Sequence, residues 1–173
     1  LIVEENSKYF IPQALTKSMN EGWACTIHQK IINELNLPDH LYLAFIKLHN
    51  QVVRPHLGTV NPYHLGFELF KKIIEEKGFE EAKLIRATHN DITFLRTYLD
   101  REFLVDQNLF SYSFKSKFKS STIDDIADKG GWERIRDALI SNAGLNRVPI
   151  VFVMEVGKNH KLILVHEHDG RDL

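Results

Sequence analysis

The spacing of apolar residues changes once along this chain of 173 residues. Up to about residue 107 apolar side chains recur every three or four positions, which is typical of amphipathic helices. Beyond that point Phe110, Tyr112 and Phe114 alternate with polar residues, which is typical of a strand with one buried face. The change predicts an α+β protein, in which a mainly helical part over 1–107 packs as one domain with a small β-α-β-β unit over 108–173.

Prolines and apolar stripes predict the first three helices. Residues 2–10 are expected to form a short helix that stops near Pro12, followed by a long helix over 13–36. A third helix is expected over about 39–53. Its inward stripe is predicted to consist of Leu41, Phe45, Leu48 and Val52.

Capping residues predict the later elements. Asn61 followed by Pro62 is typical of a helix start, and Gly78 is typical of a helix end. A fifth element is expected to start at Thr88-His89-Asn90-Asp91. A further helix is predicted over 131–142, and two strands are predicted over 149–156 and 161–166, joined by a short loop.

Composition bounds the class of protein. Hydrophobic residues make up 43% and charged residues 26% of the chain, as in an ordinary soluble globular protein. The formal net charge of −1 provides no general attraction to nucleic acid or to an anionic membrane, so the lysine-rich tract 114–119 is interpreted as a solvated strand face. No apolar run reaches the roughly 18 residues that span a bilayer.

The single cysteine, Cys25, excludes intrachain disulfides and favours a reducing compartment, so a cytoplasmic location is expected. We interpret this residue as a small buried apolar side chain. The chain opens without methionine inside a helical pattern and stops just after a strand pattern. It is therefore expected to be a fragment of a longer protein.

Glu21 and His28 are the leading candidate site residues. Their spacing of seven places both on one helix face, two turns apart, on a stripe shared with Cys25. Burying a carboxylate and an imidazole there costs free energy unless each finds a partner. Three interpretations stay open: a buried polar network without metal, a metal site, and a catalytic pair that uses no metal.

Other histidines offer further ligands. His49, His56 and His64 would converge on Glu21 if the helices fold back on one another, and His64 is the one predicted as a metal ligand. His166 and His168 lie two apart on one strand face, but they lack an obvious third ligand and are expected at an exposed strand end.

Three blocks of sequence, in this order and at these intervals, resemble the SpoVR family, stage V sporulation protein R. They are Lys17-Ser18-Met19-Asn20-Glu21-Gly22-Trp23-Ala24 followed by His28, then Asn61-Pro62-Tyr63, then Asp91-Ile92 continuing to Leu99. The resemblance implies a role in spore cortex formation, or in the stress response of bacteria that do not sporulate, with unknown protein partners in either process. It implies no reaction, so whether the chain is an enzyme stays open.

The Glu-Gly-Trp-Ala block is also similar to the helix that supplies the third, glutamate ligand in some zinc peptidases. On that likeness zinc or another divalent metal is the expected cofactor, and Glu21 and His28 are its ligands. Glu4 or Glu5 would orient a ligand or act as general base. SpoVR relatives carry a His-rich helical segment upstream, so a complete site would need both pieces. The function is then either a metal-dependent hydrolase acting on peptides or cell-wall precursors, or a non-catalytic scaffold or regulatory protein.

Overall fold

A computed structural model describes residues 2–56, 60–115, 120–126, 128–147, 149–157 and 161–167. Helices dominate these residues, and two short antiparallel hairpins accompany them, so the mainly helical α+β class is confirmed. The helices are α1 (Ile2–Leu15), α2 (Lys17–Glu34), α3 (Asp39–Val53), α4 (Pro62–Lys77), α5 (Phe79–Thr88), α6 (Asp91–Tyr98), α7 (Arg101–Asp106) and α8 (Gly131–Ser141). The strands are β1 (Ser111–Lys115), β2 (Ser120–Asp125), β3 (Val151–Gly157) and β4 (Lys161–His166).

The main core lies between α2 and α4 to α8. Phe70 on α4 stacks on Phe94 of α6, with ring centroids 4.9 Å apart, and Trp23 of α2 meets Phe70 edge-on. Each of these rings removes a large apolar surface from water, which is the main stabilising contribution to such a fold. The other fully buried large side chains of this core include Met19, Leu69, Ile73, Ile85, Leu95 and Leu104.

Helices α2 and α4 cross where a glycine of one faces a glycine of the other. A Cβ added to Gly22 would overlap the backbone of Gly66, and one added to Gly66 would overlap the carbonyl oxygen of Ser18. Only residues without a side chain allow two helix backbones to approach this closely. Gly22 and Gly66 thus permit the close packing of α2 on α4, and this contact fixes where the residues beside Gly22 point.

The predicted cap of α4 at Asn61 is confirmed, and α6 begins with a cap of the same kind at Asn90. The Asn61 side chain accepts the backbone N–H of Tyr63 at 3.0 Å. Asn90 accepts the N–H of Thr93 at 2.9 Å, and the Thr93 hydroxyl accepts the N–H of Asn90 in return, which completes a capping box. Gly78, with φ of 88°, ends α4 as expected, but the chain enters α5 at once.

The predicted boundary between the first two helices is wrong. α1 continues through Pro12 to Leu15, and the break falls at Thr16 instead. Proline removes one backbone donor but does not always end a helix. The helix breaks at Thr16 instead. There the start of α2 is capped by a residue of α6, Asp91, whose carboxylate accepts the N–H groups of Ser18 and Met19.

The inward stripe predicted for α3 is also wrong. His49 and Val53 are its buried residues, whereas Leu48 is 63% exposed and Leu41 and Val52 are about half exposed. The helix carries apolar residues on more than one face, so periodicity alone did not distinguish the face that packs.

The second half contains one more strand than predicted. β2 pairs with β1, and β3 pairs with β4, so the strands form two separate hairpins. One hairpin precedes α8 in the sequence and the other follows it. β3 and β4 match the predicted strands closely, while the loop predicted between them lies outside the described residues. α8 packs into the helical core through Ile135 and Ile140. Among the described residues, no helix combines the length and apolarity needed to cross a bilayer.

Candidate functional site

Helices α2, α3 and α4 meet in a small apolar cluster that is separate from the main core. Cys25, Val53 and Phe67 are buried in it, one from each helix, and Tyr63 packs against them. Asn61 fixes the end of α3 against the start of α4, because its side-chain amide donates to the carbonyls of Val52 and Arg54 at 2.8 Å. The junction between α3 and α4 thus depends on a polar side chain whose hydrogen bonds all go to backbone atoms.

Glu21 is half-buried at the edge of this cluster and is hydrogen-bonded to Tyr63. The hydroxyl of Tyr63 donates to the Glu21 carboxylate, and that bond is the main reason why the pKa of Tyr63 is raised above its usual value. Burial, and then the charge on Glu21, raise the pKa of the Cys25 thiol. Cys25 is therefore a buried protonated thiol, as interpreted from the sequence, and not an activated nucleophile.

A row of four rings runs beside the cluster, across α2, α3 and α4. The ring of His28 lies 5.0 Å from that of Phe45, Phe45 lies 5.3 Å from His49, and His49 lies 5.1 Å from Phe67, measured between centroids. His28 itself is exposed, and it stands at the solvent end of the row.

His49 is the unusual member of the row. It is only 6% exposed, and its Nε2 atom has no hydrogen-bond partner. Burial lowers the pKa of His49, and the nearby His28 lowers it further, so the ring is held neutral. Buried polar atoms are nearly always paired, so this orphan atom marks the position as a candidate functional residue. The sequence indicates His49 only as one of several histidines, because its periodicity predicts a different inward stripe for α3.

The remaining candidate residues lie apart from His28 and His49 or already have a partner. His64 places its Nδ1 2.9 Å from the carbonyl oxygen of Val53, which helps to hold the end of α3. Glu5 is exposed on α1 and forms an ion pair with Lys8 at 2.6 Å. Glu4 and His56 are exposed. His168 and positions 116–119 of the lysine-rich tract lie outside the described residues.

The fit of these side chains to a divalent metal depends on whether enough ligands lie together. Throughout the described part of the chain, no group of three or more His, Cys, Asp or Glu side chains is arranged to hold a metal ion. Within the described residues, Glu21, His28 and His64 are therefore not grouped as the three or four protein ligands that a zinc site takes. Neither of two surface grooves is lined by Glu21 or His28.

Those grooves lie on other faces of the helices. One, of about 370 Å³, is mainly apolar and runs between α2 and α4 past Thr26, Phe67 and Phe79. The other, of about 300 Å³, is lined by charged residues of α4 and α7, among them Lys72 and Glu102.

Comparison with known proteins gives one family and one relative. A family described as SpoVR like protein matches residues 1–148. The protein named "Uncharacterized protein YcgB", from Escherichia coli strain K12, is 29% identical over 175 residues, which cover 85% of this chain and 34% of the relative. The chain thus spans about a third of the length of that curated relative. No solved structure matches it.

Proposed function

The chain belongs to the SpoVR family, and from that premise we propose that it binds protein partners during spore cortex formation or the stress response. In this proposal it acts in the cytoplasm, where its unpaired cysteine would stay reduced. It works as a scaffold or regulatory protein, and binding is its activity.

The observation that carries this proposal is the outward face of α3. Leu41, Leu48 and Val52 follow one another at spacings of seven and four, so they form a stripe along one side of the helix. All three are between 46% and 63% exposed, although His49 and Val53 on the neighbouring face of α3 are buried against α2 and α4. An apolar stripe at this spacing matches the apolar face of an amphipathic helix, which is a common mode of protein recognition. The expected partner therefore presents an apolar groove that takes up this face of α3.

The surroundings of Glu21 support the same conclusion. Its carboxylate is engaged by Tyr63, and the two grooves lie elsewhere. A substrate-binding site would be expected to join its reactive groups to a cavity. Glu21 and Tyr63 instead resemble a hydrogen-bonded pair that supports the packing of α2 on α4.

A second candidate function is a metal-dependent hydrolase that acts on peptide or cell-wall substrates. The buried, unpaired Nε2 of His49 beside His28 favours it, because neutral imidazole is a common metal ligand. A complete set of metal ligands would also require side chains that lie outside the described residues.

Complementation separates the two functions. The natural protein would be returned to a spore-forming host that lacks its own SpoVR-family protein, and heat-resistant spores would be counted. The binding proposal predicts that Leu48→Asp combined with Val52→Asp abolishes complementation, whereas Glu21→Gln and His49→Gln preserve it. Leu84→Asp, which places the same charge at a 56% exposed leucine on α5, is the matched control. Loss of function in Glu21→Gln and His49→Gln, with the α3 variant active and all proteins folded, would favour the hydrolase.

A further inference from the structure

The β3–β4 hairpin exposes apolar side chains on both of its faces. Pairing in the hairpin places Val153 opposite Leu164 and Phe152 opposite Val165, so these two pairs lie on opposite faces. The apolar residues that are between 45% and 70% exposed here are Val151, Phe152, Val153, Met154, Val156, Leu162, Ile163 and Leu164.

Such a pattern is typical of strands inside a larger sheet. A strand that borders water on one face alternates apolar and polar residues, whereas strands covered on both faces read as nearly continuous apolar runs. In β3 the first four residues, Val151 to Met154, are all apolar, and the charged residues Glu155 and Lys161 stand near the closed end of the hairpin.

The hairpin is also unprotected at its edges. A two-stranded sheet leaves one row of backbone N–H and C=O groups unpaired along each strand, and isolated hairpins are marginally stable. Natural edge strands avoid association through charges, prolines or bulges. β3 has one bulge, between Val153 and Glu155, and no charge before it.

These observations specify what would cover the hairpin. A second copy paired along a free edge would leave both faces in water, and a second copy stacked on one face would leave the other exposed. Covering both faces takes a further layer on each side. About two thirds of the E. coli relative lies outside the segment that matches this chain, which is enough polypeptide to form such layers.

We propose that β3 and β4 belong to a larger sheet, completed by the remainder of a chain as long as the E. coli relative. That remainder adds at least one strand to a free edge and places apolar side chains on both faces. The proposal concerns a different surface from the α3 stripe, so either can fail without the other.

Hydrogen–deuterium exchange on the natural protein, expressed at the full length that its gene encodes, tests the added strand. Half of the amides in β3 and β4 point away from the partner strand and exchange fast in an isolated hairpin. The proposal predicts slow exchange for the outward amides of at least one strand, independent of protein concentration. Fast exchange of the outward amides on both strands would overturn it, and so would protection that appears only as the concentration rises, since that result indicates a second copy.

Charge substitutions test the two faces in the same protein. Leu164→Asp and Phe152→Asp, one on each face, should each lower the Tm by at least about 4 °C, as expected for burying an unpaired charge. Lys161→Asp is the matched control, because it places the same charge in the same hairpin at a position that is already charged. A Tm unchanged in either test variant would overturn the proposal, and if a variant does not fold, the exchange measurement on the unaltered protein decides.

Discussion

Asp91 accepts the backbone N–H of Met19 at 2.9 Å, across 72 residues of sequence, and so caps helix α2 from the first turn of α6. Its second carboxylate oxygen accepts the N–H of Ser18, also at 2.9 Å. Thr16, the residue in the cap position of α2, makes no side-chain cap of its own. Burial raises the pKa of Asp91, while the two N–H donors and the positive end of the helix dipole oppose that shift. This carboxylate is therefore the link that orders α2 relative to α6.

Replacing Asp91 with Ala should destabilise the protein by about 3 kcal/mol. The substitution leaves one buried and one partly buried N–H donor unpaired and removes a charge-assisted cap, each of which costs about 1 to 3 kcal/mol with incomplete additivity. Urea unfolding followed by circular dichroism at pH 7 measures the change. Asp106→Ala, at an exposed carboxylate near the end of α7, is the control and should change the free energy of unfolding by less than about 0.5 kcal/mol. Equal effects of the two substitutions would show that the cap contributes little.

The contact between Gly22 and Gly66 gives a second prediction. Gly22→Ala and Gly66→Ala should each lower the free energy of unfolding by about 2 to 3 kcal/mol, because the added methyl group overlaps the backbone of the facing helix. Gly130→Ala adds the same methyl group where nothing lies within 4 Å, and it should be neutral or slightly stabilising. Thermal unfolding of the three variants side by side provides the comparison. Tolerance of alanine at both Gly22 and Gly66 would mean that α2 and α4 are not held at this distance.

Local signals predict the starts of α4 and α6 and the end of α4. The side chains of Asn61 and Asn90 each accept a backbone N–H from the first turn of the helix that follows. A few neighbouring residues are therefore enough to predict where these helices begin. The cap of α2 is different, because its two donor groups are 73 and 72 residues away from the acceptor. No periodicity or spacing in the sequence indicates that Asp91 would reach Met19, and the boundary near Pro12 was misplaced for that reason.

α3 shows the same limit for the candidate site. Its apolar residues fit two overlapping stripes, one through Leu41 and Leu48 and one through Phe45, His49 and Val53. The second stripe packs, because Asn61 and His64 hold the end of α3 against α4 in that rotation. The proximity of Glu21 to Cys25 followed from helix geometry alone, whereas the burial of His49 depended on tertiary contacts. The assignment of Glu21, His28, His64 and Glu5 to a catalytic or metal site stays a prediction.

His49 should make the stability of the protein depend on pH below neutrality. Its folded pKa is lowered, so between that pKa and about 6.5 the unfolded chain binds a proton that the folded chain does not. The free energy of unfolding is therefore undiminished by this group above pH 6.5. It decreases as the pH falls below that value, by up to about 1.4 kcal/mol per pH unit. The groups that face the ring are His28 on α2, Phe45 on α3 and Phe67 on α4.

Urea unfolding at several pH values between 5 and 7.5 measures this dependence. His49→Leu should flatten it, whereas His56→Leu, at an exposed histidine, should leave it unchanged. A slope that persists in His49→Leu would assign the dependence to another group.

The hydrogen bond between Tyr63 and Glu21 provides the most direct test of the candidate site. Because the carboxylate of Glu21 is the main cause of the raised pKa of Tyr63, Glu21→Gln should bring that pKa back toward its ordinary value of about 10. Tyrosine labelled with ¹³C at Cζ reports each ring separately in an NMR titration. Tyr42, whose hydroxyl donates to Asn33 at 3.0 Å, is the internal control and should titrate identically in both proteins. If Tyr63 also titrates identically, Glu21 is not engaged by it, and the carboxylate is free to take part in ligand binding, which would strengthen the hydrolase candidate over the binding proposal.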